Sequence, residues 1–220
     1  MRAFFDETPD IAMILDIFAG RTVEARAEVP PNLSDFPKQE WEPILVGARF
    51  WIAPSWVDQP TPPGRIRLAI DSSNSFGTGR HESTQLALEA LEQQVTRGCT
   101  VLDIGTGSGI LSQAALLLGA GKVFSCDIHE DAIASSKPQL QSRLFLGSAE
   151  AIATRAGDVV LANITAEVIN ALSWELTRIT KPDGILILTG FIQGNTPTHF
   201  SPEKITKRGD WLCWLCRPQL

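Results

Sequence analysis

Three glycines at alternate positions, Gly105, Gly107 and Gly109, directly follow a short apolar run at 100–104. The run is too short for a full helix, so it predicts a buried strand that ends in a tight turn. A turn needs glycines when a ligand must approach the main chain more closely than a Cβ would allow. Residues 110–118 then form a predicted helix whose N-terminal amides face the ligand, which favours a nucleotide-like molecule.

Two dissimilar ligands fit such a turn, and the spacing distinguishes them. A dinucleotide fingerprint needs its third glycine three positions after the second, where this chain has Ile110. The pattern Gly-x-Gly-x-Gly after Asp103 instead resembles the first motif of class I S-adenosylmethionine methyltransferases. A second apolar strand, 122–126, ends at Asp127, whose carboxylate can accept both ribose hydroxyls of a nucleoside. Glycine-rich turns also occur for packing alone, and Asp127 is the residue that favours ligand binding.

Length and composition limit the fold and the partners. A chain of 220 residues with 44% hydrophobic residues predicts one α/β domain with a small appendage. The formal charge of −6 argues against a general affinity for nucleic acid and is compatible with a basic protein substrate. No apolar run reaches the length of a membrane span, and the N-terminus lacks the apolar core of a signal peptide. We therefore expect a soluble, cytoplasmic protein with no membrane partner.

The four cysteines are expected to be structural. Cys99 and Cys126 lie beside predicted strands, whereas Cys213 and Cys216 form a Cys-x-x-Cys pair inside a predicted strand. A spacing of three on a strand points the two sulfurs to opposite faces, and no second pair completes a zinc site. The pattern predicts buried thiols and no metal site.

The chain divides into three predicted regions. Residues 1–35 hold a helix that begins at Pro9 and stops at Gly20 and a strand over 23–29, which is too little for an independent domain. Residues 36–64 form a strand-rich linker that ends in a proline-rich connector. Residues 65–220 form the predicted cofactor-binding domain.

Strands alternate with helices along the third region, which predicts a mostly parallel α/β sheet with helices on both faces. A last strand at 211–216 is expected to pair antiparallel with 204–207, and 194–202 to form a loop. The other predicted strands are 66–70, 100–104, 122–126, 143–146, 158–162 and 184–189, and the predicted helices are 82–91, 110–118, 166–179 and one from Glu130 that ends before Pro138.

Several stretches together resemble the PrmA family, the methyltransferases of large-subunit ribosomal protein eleven. The resemblance covers Trp41 to the C-terminus, and its most specific part is the Phe-Gly-Thr-Gly-x-His loop. The stretches that carry it are Leu45–Trp56, Ser75–Thr84, Asp103–Leu111, Asp127-Ile128, Ala162-Asn163-Ile164 and Gly209–Leu212.

The resemblance implies a class I methyltransferase (Rossmann-like) fold and S-adenosylmethionine as cofactor. It places cofactor contacts at Thr84, Gly105, Asp127 and Asn163, each in its own motif. Phe76 is interpreted as a lid over the cofactor, with simple core packing as the alternative. The candidate cofactor-binding residues are Phe76, Gly77, Thr78, His81, Thr84, Asp103, Gly105, Thr106, Gly107, Gly109, Asp127, Ile128, Ser148, Ala149 and Asn163.

Asn163 is the candidate catalytic residue. An asparagine at the end of a strand can accept a hydrogen bond from an incoming amine and orient its lone pair toward the methyl group. No strong base is required, because the methyl donor is already activated. His81 is as consistent with a loop-stabilising role as with catalysis, and we assign it no proton transfer.

The resemblance implies methyl transfer to amino groups of a protein, with a ribosomal protein as a possible substrate. Methylation of a small-molecule amine is one alternative, and a non-catalytic cofactor-binding module is another. Two departures from the family concern the substrate side: the N-terminal segment is short, and the loop at 194–202 replaces a helix and leaves a sheet face less covered. From the first we expect poor methylation of ribosomal protein eleven. The sequence does not indicate an oligomeric state.

Overall fold

The structure is a computed structural model that describes residues 42–70, 79–136 and 143–218, all within the unit Gln39–Leu220. The helix and strand predicted within 1–35 lie outside the described residues, and the three predicted regions stay predictions. Among the described helices, none has the length and apolar character needed to cross a bilayer.

Strands and helices occur where the apolar runs predict them, with bounds that differ by a few residues. The strands are β1 Ile44–Val46, β2 Phe50–Pro54, β3 Ile66–Ile70, β4 Thr100–Ile104, β5 Lys122–Asp127, β6 Leu144–Leu146, β7 Gly157–Asn163, β8 Thr180–Ile192, β9 Pro202–Arg208 and β10 Trp211–Cys216. The helices are α1 Glu82–Gln94, α2 Ile110–Leu117, α3 Glu130–Ser136, α4 Ala166–Ala171 and α5 Ser173–Ile179, with a 3-10 turn at Ala149–Ala151.

Seven strands form the main sheet in the order β6-β5-β4-β7-β8-β10-β9. The first five are parallel to one another, while β10 pairs antiparallel with both β8 and β9. The predicted sheet, mostly parallel with an antiparallel C-terminal strand, is therefore confirmed. Strand order reverses at β4, and in open α/β sheets ligands bind beyond the carboxyl ends of the strands at such a reversal.

The two faces of the main sheet are covered by different helices, as the strand–helix alternation predicts. Alternate residues of β7 point to opposite faces, so Leu161 packs with α1 and α2 while Val160 packs with α4 and α5. Cys213 and Cys216 also belong to opposite cores, as their spacing predicts. All four cysteines are buried free thiols, and burial raises the pKa of Cys126, Cys213 and Cys216 to about 12.

A separate three-stranded sheet, β1-β2-β3, packs against the α1 and α2 face. Gly47 opens the turn between β1 and β2 at φ +55. The next two amides donate to the carboxylate of Glu92 in α1, Ala48 N at 2.9 Å and Arg49 N at 2.8 Å. Successive main-chain amides that converge on one anion form a nest, so Glu92 fixes the hairpin to α1.

Two predicted elements differ in the structure. The single helix expected over 166–179 is two helices, which meet at Leu172. The strand expected over 184–189 begins earlier, at Thr180, but its pairing with β7 is interrupted so that Gly157 pairs with Thr180 and Val159 with Ile185. At the interruption, Asp158 accepts hydrogen bonds from Thr100 N at 2.8 Å and Lys181 Nζ at 2.6 Å.

The stretch between β8 and β9 forms a loop, as predicted. Asn195 Nδ2 donates to Glu167 Oε1 at 2.8 Å, and Thr198 N donates to Asn170 Oδ1 at 2.8 Å, so the loop is held on α4. Phe200 packs against the core on the same face. We expected the absence of a helix here to leave part of the sheet face uncovered. The loop covers some of that face instead.

We expect Glu92→Ala to lower the free energy of unfolding by about 1–2 kcal/mol, because two main-chain amides lose a charged acceptor at a partly exposed site. Urea unfolding at neutral pH measures the effect. Glu203→Ala is the matched control, since Glu203 forms only an exposed ion pair with Arg217 at 3.3 Å and its loss should cost under roughly 0.5 kcal/mol. Equal losses of unfolding free energy in the two variants would contradict the role of Glu92 in fixing the hairpin to α1.

Candidate active site

The candidate residues converge at the carboxyl ends of β5, β4 and β7. Ile104 of β4 is in register with Cys126 of β5 and with Ala162 of β7. The residues that follow Ile104, Cys126 and Ala162 are Gly105, Asp127 and Asn163, respectively, so these three lie in a row across neighbouring strands. Strand spacing near 4.8 Å puts the two ends of the row about 10 Å apart.

The loop after β4 turns sharply over the end of β5. Gly105 N and Thr106 N both donate to the carbonyl of Cys126, at 2.9 and 3.0 Å. Gly105 has φ +77, and a Cβ there would lie 2.6 Å from Ile164 Cγ2. Both the backbone conformation and the nearby Ile164 side chain therefore favour glycine at this position.

The same loop then leads into α2. Gly107 has φ +55 and Gly109 has φ +79, and Gly109 N donates to Thr106 O at 2.9 Å. Gly109 is the N-cap residue and provides no side chain to satisfy the first amides of the helix. The N-terminus of α2 can therefore present main-chain donors and the positive end of its dipole to a ligand.

Asp103 is fully buried beneath this loop. Its Oδ2 accepts from Thr106 Oγ1 at 2.8 Å and from Ser112 Oγ at 2.5 Å, and the Ser112 hydroxyl also meets Ser125 Oγ at 2.6 Å. Asp103 Oδ1 has no hydrogen-bond partner among the described residues. Sequence reasoning missed Ser112 and Ser125, although a serine within the apolar run of β5 is a signal of a buried polar partner.

The environment of Asp103 raises the pKa of its carboxyl above the ordinary value. Burial raises the pKa of the Asp103 carboxyl, hydrogen bonds from Ser112 and Thr106 oppose this change, and the charge of Asp127 adds to the increase. The structure thus shows Asp103 as the anchor of the glycine loop. Its assignment as a cofactor-binding residue stays a prediction.

Asp127 lies at the end of β5 and is 8% exposed. Its Oδ2 accepts from Gly107 N at 3.0 Å and its Oδ1 from His129 N at 3.0 Å. Each carboxylate oxygen has a second lone pair, so Asp127 can still accept hydrogen bonds from two hydroxyls of a ligand. The side chain therefore shapes the glycine loop and can bind a ribose at the same time.

Asn163, at the end of β7, contacts the first turn of α1. Its Nδ2 donates to Thr84 Oγ1 at 3.4 Å, and Thr84 is almost fully buried. This contact brings together two of the predicted site residues, which are 79 positions apart in the chain. Because the amide nitrogen is used by Thr84, the amide oxygen of Asn163 is the group that can accept a hydrogen bond from an incoming ligand.

His81 is the N-cap residue of α1 rather than part of the row. Its Nδ1 accepts from Ser83 N at 3.3 Å and lies 2.8 Å from Ser83 Oγ. The ring packs edge-on against Trp211 of β10, with centroids 4.3 Å apart. These contacts agree with a loop-stabilising role, and a direct contact of His81 with the cofactor stays a prediction.

Three further candidates, Ile128, Ser148 and Ala149, lie on the β6 side of the row. Ile128 follows Asp127 and is 68% exposed. Ser148 and Ala149 follow β6, where Gly147 N donates to Asp127 O at 2.9 Å. The candidates Phe76, Gly77 and Thr78 lie outside the described residues.

A mostly parallel sheet with an antiparallel C-terminal strand β10, a glycine loop after β4 and a carboxylate at the end of β5 together match the class I methyltransferases. The family model "Ribosomal protein L11 methyltransferase (PrmA)" matches residues 23–218, which extends the resemblance toward the N-terminus beyond Trp41. The chain belongs to this family, whose members are S-adenosylmethionine-dependent protein methyltransferases.

Curated relatives and a solved structure agree with this assignment. The chain is 34% identical to the ribosomal protein L11 methyltransferase of Geobacter metallireducens, over 98% of this chain and 80% of the relative. It is 36% identical to that of Dechloromonas aromatica, over 83% of this chain and 64% of the relative. The crystal structure of the ribosomal protein L11 methylase of Lactobacillus delbrueckii superimposes with a TM-score of 0.72 at 27% identity, over 81% of this chain and all of that one.

We expect Asp103→Asn to change how stability depends on pH. The folded protein holds the Asp103 proton more tightly than the unfolded chain, so ionisation destabilises the fold as pH rises from 3.8 toward the folded pKa. Asparagine cannot ionise but keeps an acceptor for both hydroxyls. Within that window, the free energy of unfolding of the variant should therefore rise relative to that of wild type by at most about 1.4 kcal/mol per pH unit.

Urea unfolding of both proteins between pH 4 and pH 8 measures this difference. Asp183→Asn, at an exposed position of β8, is the control and should follow the wild-type curve. A difference between Asp103→Asn and wild type that does not change with pH would contradict the raised pKa.

Proposed function

We propose that this chain binds S-adenosylmethionine along the row Asp127–Gly105–Asn163 and transfers its methyl group to an amine of a ribosomal protein. The observation that carries the proposal is the register of β5, β4 and β7, which sets a carboxylate and a carboxamide about 10 Å apart with a glycine between them. A nucleoside whose ribose lies on Asp127 would then extend across Gly105 and bring its sulfur substituent to Asn163.

Each residue in the row contributes a different function. Asp127 accepts the two ribose hydroxyls, Gly105 allows the ligand to touch the main chain, and the N-terminus of α2 faces the aminoacyl carboxylate. Ile128 offers an apolar surface to the base. Thr84, buried against Asn163, places its hydroxyl near the aminoacyl end. Phe76 is proposed to act as a lid over the ligand.

Bound S-adenosylmethionine supplies a methyl group activated by a positively charged sulfur. Asn163 Oδ1 accepts a hydrogen bond from an N–H of the acceptor amine and thereby directs the nitrogen lone pair at the methyl carbon. Nitrogen gains the methyl group as the carbon–sulfur bond breaks, and S-adenosylhomocysteine leaves. Asn163 is too weak a base to keep the amine proton, so water takes it.

The relatives favour ribosomal protein L11 as the acceptor. All the curated relatives described above carry its name, and the Geobacter metallireducens protein aligns with 98% of this chain. The net charge of −6 is compatible with a basic substrate such as a ribosomal protein. These observations weigh more than the expectation of poor activity, which rested on the shortness of the N-terminal segment. A small-molecule amine is the second candidate acceptor.

We expect Asp127→Ala to weaken S-adenosylmethionine binding by roughly a hundredfold, because it removes the ribose carboxylate and the acceptor for Gly107 N. Titration calorimetry measures the affinity, and Asp183→Ala is the control with an exposed carboxylate. Gly105→Val should also abolish binding, but its Cβ would meet Ile164 and so disturb the fold as well. Unchanged affinity in both variants would exclude this site.

We expect Asn163→Ala to lower the methyl-transfer rate roughly a hundredfold while cofactor affinity changes only a few-fold, because the amine loses its positioning contact. Mass spectrometry of purified L11 incubated with the enzyme and S-adenosylmethionine measures the rate. Gln93→Ala removes an amide at the other end of α1 and should behave as wild type.

Full activity of Asn163→Ala on L11 would exclude the catalytic role of this residue. If wild type transfers no methyl group to L11 but methylates a small amine in a labelled-donor screen, the acceptor is a small molecule. The proposed cofactor site would then still hold.

A further inference from the structure

The turn between the last two strands, Arg208–Trp211, is here named the hairpin end. None of its residues belongs to the row Asp127–Gly105–Asn163. Arg208 of β9 and Trp211 of β10 are direct partners across the hairpin, so their side chains project from the same face of the sheet. Trp211 packs with the core on the α1 face. Both side chains of the hairpin end therefore lie on the side of α1.

Arg208 holds α1 through two hydrogen bonds. Its Nη1 donates to Gln85 Oε1 at 2.5 Å and its Nη2 to Glu89 Oε1 at 2.6 Å. Gln85 and Glu89 are four residues apart, so they lie on one face of the helix, and the planar guanidinium fork contacts both. The side chains of Arg208 and Glu89 are 40% and 28% exposed, so this ion pair contributes little to stability. We infer that its main effect is to orient the helix.

Gln85 extends the contact to the start of α1. Its Nε2 donates to the carbonyl of Arg80 at 2.8 Å, and its main-chain N donates to the carbonyl of His81 at 3.1 Å. The ring of His81 in turn packs edge-on against Trp211, with centroids 4.3 Å apart. The first turn of α1 is thus held from the hairpin end at two points, by Arg208 through Gln85 and by Trp211 through His81.

Thr84 lies in the same turn, directly before Gln85, and is 2% exposed. Its Oγ1 accepts from Asn163 Nδ2, and among the described residues Thr84 is the hydrogen-bond partner of that carboxamide. The distance of 3.4 Å exceeds the roughly 3.2 Å limit of ordinary N–H···O bonds. A small shift of the first turn would therefore break this bond and leave the Asn163 carboxamide free to rotate.

We propose that Arg208 is a positioning residue for methyl transfer, an inference that rests on the proposed function. It fixes the first turn of α1 through Gln85, and that turn presents Thr84 to Asn163 so that the amide oxygen stays directed at the acceptor amine. Without the fork the turn can move. Misplacement of Asn163 lowers the rate of transfer, whereas the ribose stays on Asp127 at the other end of the row.

Arg208→Met removes the fork and keeps most of the apolar stem. The rate of methyl transfer to purified L11, at saturating S-adenosylmethionine and L11, should fall about tenfold, because Asn163 is less well placed for the chemical step. The affinity for S-adenosylhomocysteine, measured by titration calorimetry on the full chain, should change by less than about threefold, because Asp127 and Gly105 are not disturbed.

A double-mutant cycle with Asn163 separates positioning from a general disturbance of the fold. In the Asn163→Ala background, Arg208→Met should change the remaining rate by less than about twofold, because Arg208 acts through the side chain that is already gone. A general disturbance would lower the rate by the same factor in both backgrounds, and that result would overturn the inference.

Lys204→Met is the matched control. Lys204 also joins β9 to α1, but its Nζ donates to Gln93 Oε1 at 2.8 Å, in the last turn of the helix. It should behave as wild type. Arg208→Lys keeps the charge but loses the fork, so it can hold only one of the two partners, and its rate should lie between those of wild type and Arg208→Met. The lysine variant serves if the methionine variant does not fold.

The side-chain amide resonance of Asn163 in a ¹H–¹⁵N NMR spectrum of the ligand-free chain gives a measurement that needs no acceptor. Thr84→Val removes the acceptor oxygen at nearly the same volume and marks where the released amide resonates. Arg208→Met should move the Asn163 resonance toward that position, and Lys204→Met should leave it in place.

An unchanged Asn163 resonance in Arg208→Met would overturn the inference, and so would an unchanged rate. If wild type methylates no protein but the resonance moves as expected, the proposed function fails while the coupling of Arg208 to Asn163 stands.

Discussion

The parallel register of β5, β4 and β7 is the constraint on which the rest of the site depends. It brings Asp127, Gly105 and Asn163 level with one another at one edge of the sheet. The register is fixed above the edge by apolar pairs that cannot shift by one residue without moving core side chains to the wrong face. It is fixed at the edge by the Cys126 carbonyl, which accepts from both Gly105 and Thr106. The same strand register is therefore required both for the packing of the core and for the geometry of the site.

The buried polar groups beneath the loop follow from the same register. Asp103 and Ser125 are direct partners on β4 and β5, and Ser112 reaches them from α2. A carboxyl in this position is costly unless it is hydrogen-bonded or neutral. Here one carboxyl oxygen accepts from Thr106 and Ser112, so Asp103 anchors both the glycine loop and α2, while burial raises its pKa.

Sequence patterns predicted the parts of the molecule that depend on local constraints. The glycine loop, the strands on both sides of it and the acid at the end of β5 each follow from spacing within a short stretch. The interrupted pairing at Asp158 was missed, since it depends on partners far along the chain, and the split at Leu172 was missed as well. Asn163 and Thr84 were each predicted, but only the fold shows that they touch.

The two ends of the site are supported by different parts of the molecule. Asp127 rests on β5 and on the turn after β6, whereas Asn163 rests on α1 through Thr84. Helix α1 is held in turn by the C-terminal hairpin, where Arg208 donates to Gln85 at 2.5 Å and to Glu89 at 2.6 Å and Trp211 packs against His81. The last two strands therefore act on the methyl-transfer end without reaching the row, since they fix the helix whose first turn positions Asn163.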